Sequence, residues 1–173
     1  FHDRSWLSDG SVILFNSNRD QGGLMGYLAE TGELVSFTTA DGALGGATAA
    51  LTGPRFFAIR GNRILEVTLA IAASANPAEQ PSDVRVTERV ICELPAVATN
   101  TALNESCDGT RLSVGVRGAA TEDKPAILVI EVASGAIREL CRFDDPDTYH
   151  VHVQWSRTDP NLLSYAGHPQ RLM

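Results

Sequence analysis

The sequence predicts an all-β protein, and within that class a partial β-propeller: antiparallel four-stranded blades, about three and a half of them, standing round a common axis. Three observations carry this prediction. Apolar residues alternate with a period of two in runs of five to eight residues, as half-buried strands require. The runs are separated by clusters of Gly, Pro, Asp and Asn, the residues of tight turns. Finally, the phrase repeats. The turn residues Gly10, Gly53, Gly109 and Pro160 lie 43, 56 and 51 residues apart, and self-similarity near that spacing marks propeller blades.

The first unit, residues 1–43, opens with an innermost strand over Arg4 to Leu7 and the turn Ser8-Asp9-Gly10. Ser11 to Phe15, Leu24 to Ala29 and Leu34 to Thr38 follow as strands, separated by the turn-rich stretch from Asn16 to Gly23 and by Glu30-Thr31-Gly32-Glu33. The second unit, 44–96, reads Gly46 to Leu51, Phe56 to Arg60, Arg63 to Leu69, a long loop over Ala72 to Asp83, and Val84 to Leu94. Its tight turns are Thr52-Gly53-Pro54 and Gly61-Asn62. The third, 97–146, reads Ala98 to Leu103, Arg111 to Arg117, Ala126 to Val132 and Ala136 to Phe143, with Cys107-Asp108-Gly109 and Ser134-Gly135 as turns. The fourth, 147–173, carries Val151 to Trp155, the turn Thr158-Asp159-Pro160 and Leu162 to Ala166. Asp9, Asp108 and Asp159 are turn acids whose carboxylates are expected to accept from the N–H two residues on. The nearest approach to a helical stripe, Val67 to Ala73, abuts a Pro-containing loop. A β-sandwich is the rival architecture for this length, but so many strands would be unusual for one. A blade buries its faces only against two neighbours, so the remaining blades are expected from a longer polypeptide or from another chain.

With 14 Lys and Arg against 21 Asp and Glu, the formal charge of -7 repels phosphate backbones and anionic lipid, so nucleic acid and membrane surfaces are not expected partners. No run approaches the roughly 18 apolar residues of a membrane-spanning helix. The opening Phe1-His2-Asp3-Arg4-Ser5 has no apolar leader core, and the compartment, cytoplasmic or periplasmic, stays open. Cys92, Cys107 and Cys141 cannot all pair within one chain and lack metal-site spacing; they are expected reduced and buried. Gly-Ala-Leu-Gly-Gly at 42–46 is not a phosphate loop, since no Lys-Ser/Thr follows, and no Gly-x-Ser-x-Gly elbow occurs.

The segment His152-Val153-Gln154-Trp155-Ser156-Arg157-Thr158-Asp159-Pro160-Asn161-Leu162-Leu163, continuing to Tyr165-Ala166-Gly167-His168-Pro169, resembles the oligogalacturonate lyases. In that family a blade opens with His-x-x-aromatic-Ser-Pro-Thr-Asp-Pro and continues to a His-Glu-Gly step. The opening Trp6-Leu7-Ser8-Asp9-Gly10-Ser11, Arg19-Asp20-Gln21-Gly22 and Tyr27 to Glu33 are similar to the family's first blade, and equally to TolB-type and prolyl-oligopeptidase propellers. Two positions depart from the lyase pattern. Pro169 stands in place of Glu, and Arg157 in place of Pro. The resemblance implies a seven-bladed enzyme that cleaves pectic oligouronides by β-elimination with a divalent metal, Mn, whose ligands and base lie on later blades. It further implies that Arg171, following the histidine step, is the catalytic arginine facing the uronate carboxylate.

His150, His152 and Gln154 alternate with Val151, Val153 and Trp155, so they share one side of a strand, a side that can line a propeller channel. Hydrogen-bonded channel residues, contact with an acidic oligosaccharide by His152 and Gln154, and metal binding at a His-x-His spacing are all open on this pattern. His168, in a loop before Pro169, is either a substrate contact at the channel mouth or a surface histidine, and Arg171 by itself reads equally as a solvated strand-end arginine. His2-Asp3-Arg4 reads as structural, and Asp144-Asp145-Pro146-Asp147 as a solvated acidic loop without the Gly and Glu of a calcium loop. The expectation is therefore part of a pectic lyase, of which these 173 residues lack a complete catalytic set; the alternative is a non-catalytic TolB-like propeller used as a protein-binding platform.

Overall fold

A computed structural model of the chain describes residues 4–18, 23–95, 103–116, 124–144 and 148–169. None of these residues forms a helix. The strands are β1 (Val12–Ser17), β2 (Gly23–Leu28), β3 (Leu34–Ser36), β4 (Gly45–Ala49), β5 (Arg55–Arg60), β6 (Arg63–Ala72) and β7 (Asp83–Glu93). They continue as β8 (Asn104–Glu105), β9 (Arg111–Val116), β10 (Ala126–Glu131), β11 (Ile137–Arg142), β12 (Thr148–Trp155) and β13 (Leu163–Pro169). They form four antiparallel sheets in simple chain order: β1-β2-β3, β4 to β7, β8 to β11, and β12-β13. The expected innermost strand of the first blade is a short ledge: Trp6 bridges Ile13, and Leu14 N–H donates to Ser5 O at 2.7 Å. Innermost segments of successive blades touch through Ala49 N–H to Arg4 O, 2.8 Å, and Leu103 N–H to Gly46 O, 2.9 Å.

Alternation within each strand is what builds the blade stack. On β5, Phe56 and Ala58 point to the first blade, where they join Val12, Leu14, Leu24 and Leu28; Phe37 meets Phe56 at 5.2 Å between ring centroids. Phe57, one residue along, points the other way into a cluster with Ile64 of its own blade and Leu112, Val114, Leu128 and Ile130 of the third. On β10, Leu128 and Ile130 face the second blade, while Ile127 packs with Val153 of the fourth. Each of these two strands thus serves two interfaces, as its period of two allows.

The turn acids do what their positions require. Asp9 accepts from Ser11 N–H at 3.0 Å, Asp108 from Thr110 N–H at 3.2 Å, and Asp159 from Asn161 N–H at 2.9 Å. Two expectations need correcting. β6 runs on to Ala72, because Ala70, Ile71 and Ala72 find partners in Arg85, Val84 and Asp83; the stretch closest to a helical pattern is a projecting hairpin. The three thiols are free but only half-buried, Cys92 lying near enough to the second interface that burial pushes its pKa up to about 11.

Polar clasps join the blades. The Glu105 carboxylate, its side chain inaccessible, accepts from Arg4 Nη1 at 3.0 Å and Leu51 N–H at 2.7 Å, so one group ties three blades together. Glu66 accepts from Arg55 and, at 2.7 Å, from Arg89, whose Nη2 also donates to Val132 O of the third blade. Burial raises the Glu105 pKa above its ordinary 4.5, against the opposing pull of Leu51 N–H and Arg4. A raised carboxyl holds its proton more tightly when folded, so its contribution is fully present below 4.5 and fades as pH climbs through the raised value. Arg4 acts on the ionised form alone. Arg4→Met is therefore expected to be nearly neutral in acid and to cost about 1–3 kcal/mol at high pH, read as a gap between the two melting curves that widens with pH. A gap that stays constant with pH would show that Arg4 acts through packing instead.

Candidate functional site

The β12–β13 hairpin is the element that positions the predicted site. Its inner side is fastened to the third blade: Val153 and Trp155 are buried, and Trp155 N–H donates to Asn104 Oδ1 at 2.8 Å. The Arg111 guanidinium lies 4.9 Å from the Trp155 ring centroid, and its Nη2 donates to Pro160 O at 2.5 Å. Such a cation–π contact contributes about 1 kcal/mol and holds the indole plane against rotation. With Val153 and Trp155 turned to the third blade, the period of two turns His152 and Gln154 to the opposite side.

On that opposite side His152 is exposed and Gln154 half-buried. His152 is registered opposite Ala166 and Gln154 opposite Ser164, whose hydroxyl donates to Gln154 O at 3.3 Å. His168 lies in β13, where the backbone register pairs it with His150. It is thus a strand residue rather than the loop residue expected. The hairpin brings the His152 and His168 positions onto adjoining strands. The sequence alone does not join these histidines, although both His150 and His168 lie nine residues from Asp159, positions that the antiparallel register sets opposite one another. Arg171 and His2 lie outside the described residues. Of the acidic loop, Asp144 is described: Lys124 Nζ sits 2.8 Å from it and holds its carboxyl below the ordinary range.

The side bearing His152 and Gln154 is the one that a following blade would face, and it is polar. The corresponding outer side of the first blade is the reverse. There Trp6, Ile13, Tyr27 and Leu34 form one cross-strand row, beside Phe15 and Met25, and Trp6 and Leu34 are 55% and 50% exposed. The two ends of the arc therefore differ in chemistry. Among the described residues no group of three His, Cys, Asp or Glu side chains is placed to hold a metal ion.

Successive antiparallel sheets, packed face to face with their innermost strands adjacent, define a β-propeller, here an arc of one. Among solved structures the chain is similar to an oligogalacturonate lyase from Vibrio parahaemolyticus, with a TM-score of 0.67 and 14% identity over 98% of this chain and 46% of that one. It is equally similar to an oligogalacturonate lyase in complex with manganese, with a TM-score of 0.68 and 14% identity over 96% of this chain and 45% of that one. TolB from Acinetobacter baumannii overlays at a TM-score of 0.51 and 11% identity, covering 80% of this chain and 31% of that one. These likenesses establish the fold, and the chain spans about half the length of the lyases it matches. No family model matches the sequence, and no curated protein does.

Proposed function

We propose that this chain forms part of an oligogalacturonate-lyase-type propeller, which cleaves pectic oligouronides by β-elimination. The observation that supports the reading is the overlay of 98% of the chain on a lyase, with His152 and Gln154 sharing one side of β12. β-Elimination from a uronide needs a positive group at the carboxylate, to acidify the neighbouring C5 proton, and a base to take that proton. His152 and Gln154 bind sugar hydroxyls and carboxylate oxygens, with His168 beside them on β13, and Arg171 neutralises the uronate. The lyase resemblance and the manganese-bound neighbour point to a divalent cation. Among the described residues no group of three His, Cys, Asp or Glu side chains fits one.

The chain by itself, spanning about half of the lyases it resembles, is not expected to turn over; incubation of the complete protein, later blades included, with digalacturonate and Mn²⁺ is expected to yield unsaturated products absorbing in the near ultraviolet. Arg171→Ala is expected to lower turnover by about 10² or more without moving the melting temperature, and His152→Ala to act mainly on KM. An absence of unsaturated product, or a fully active Arg171→Ala protein, overturns the reading. The first outcome favours the second reading, a TolB-like interaction platform, which rests on the TolB overlay.

A further inference from the structure

We propose that a cleft between the first and second blades, remote in character from the histidine hairpin, binds an amphipathic cation: an ammonium or guanidinium on an aliphatic body, as a lysine or arginine presents among aliphatic neighbours in a peptide. The cleft encloses about 800 Å³, a volume suited to a short peptide segment. Its floor is apolar, from Leu28, Leu69, Ile71 and Pro54, and Asp9 and Glu30 contribute the carboxylates that line it. Among the described residues no lysine, arginine or histidine lines it.

The cleft is built by the fold rather than left over from it. The overlong end of β6, Leu69 to Ile71, held in place by its pairing with β7, forms one wall. The loop that joins them is latched to the first blade: Ser82 N–H donates to Glu33 at 2.9 Å, the Ser82 hydroxyl donates to the second Glu33 oxygen, and Ser74 N–H donates to that same hydroxyl at 3.0 Å. These hydrogen bonds hold the Glu33 carboxyl below the ordinary range, so the latch is ionised at neutral pH. Asp9 has one oxygen committed to Ser11 N–H and Oγ, which fixes its carboxylate in place. An anion entering such a cleft meets two like charges beside an apolar floor, and a neutral polar group loses water without gaining an ionic partner. A cation with an aliphatic body satisfies both surfaces. The site therefore rejects the acidic sugar proposed above and is independent of that reading.

The test uses three blocked tripeptides, acetyl-Leu-Lys-Leu-amide and its Gln and Glu counterparts, titrated against the protein while backbone amide resonances are followed. The lysine peptide is expected to bind at least tenfold more tightly than the glutamine peptide, the glutamate peptide more weakly still, with shifts centred on Gly10, Ala29 and Ile71. Asp9→Asn with Glu30→Gln keeps the turn acceptor at position 9 and is expected to erase the difference between the lysine and glutamine peptides. Equal binding of the three peptides, no saturable shift, shifts centred on another surface, or a charge preference that survives the double variant would each overturn the proposal.

Discussion

Phe57→Ala is expected to cost about 3–5 kcal/mol of unfolding free energy, whereas Tyr27→Ala in the same chain is expected to cost less than about 1 kcal/mol. Both are aromatic residues in central strands, and a propensity scale treats them alike. Their surroundings differ. Phe57 is fully buried between the second and third blades, and its removal opens a cavity walled by Ile64, Leu112 and Leu128, which belong to two different sheets and cannot close together without shifting. Tyr27 is 38% exposed on the outer side of the first blade, so truncation there leaves a dent open to water. Denaturant unfolding of both variants measures the contrast. A Tyr27→Ala loss as large as that of Phe57→Ala would mean that the aromatic row of the first blade is covered by another surface in solution.

Gly135→Ala is expected to destabilise by about 3 kcal/mol or more, and Gly53→Ala by only about 1–2 kcal/mol. Both glycines sit in turns with positive φ, 71° and 74°. That conformation alone makes any Cβ costly at either position. At Gly53 a Cβ meets nothing within 4 Å. At Gly135 it would lie 2.2 Å from the carbonyl oxygen of Ile91 on β7, backbone against backbone, so the third blade would have to move away from the second. Thermal melts of the two alanine variants separate local strain from this contact between blades. Equal losses would show that the turn of the third blade does not depend on its approach to β7.

Much of this architecture was legible in the sequence because it is set by short-range rules. The Asp9, Asp108 and Asp159 turns depend on a carboxylate reaching an N–H two residues away, and the strands between them depend on alternation that five residues suffice to display. The extension of β6 to Ala72 was not legible, since Ala70 and Ala72 dilute the strand preference of Ile71 and the segment is held by Asp83 to Arg85 across a ten-residue loop. The candidate site divides in the same way. That His152 and Gln154 share a side follows from their spacing, while the placement of His168 on the neighbouring strand follows from the register of the hairpin.

The amino-acid order by itself determined the strands, the tight turns and the succession of blades, each of which rests on interactions within about a dozen residues. Only the tertiary structure decided which side of each strand meets a neighbour and which polar groups seal the contact: Glu105 with Arg4 and Leu51, Asn104 and Arg111 with the Trp155 hairpin, Gly135 under Ile91. These contacts join residues about 40 to 100 positions apart, where loop closure and sheet packing, rather than any local preference, select the partner.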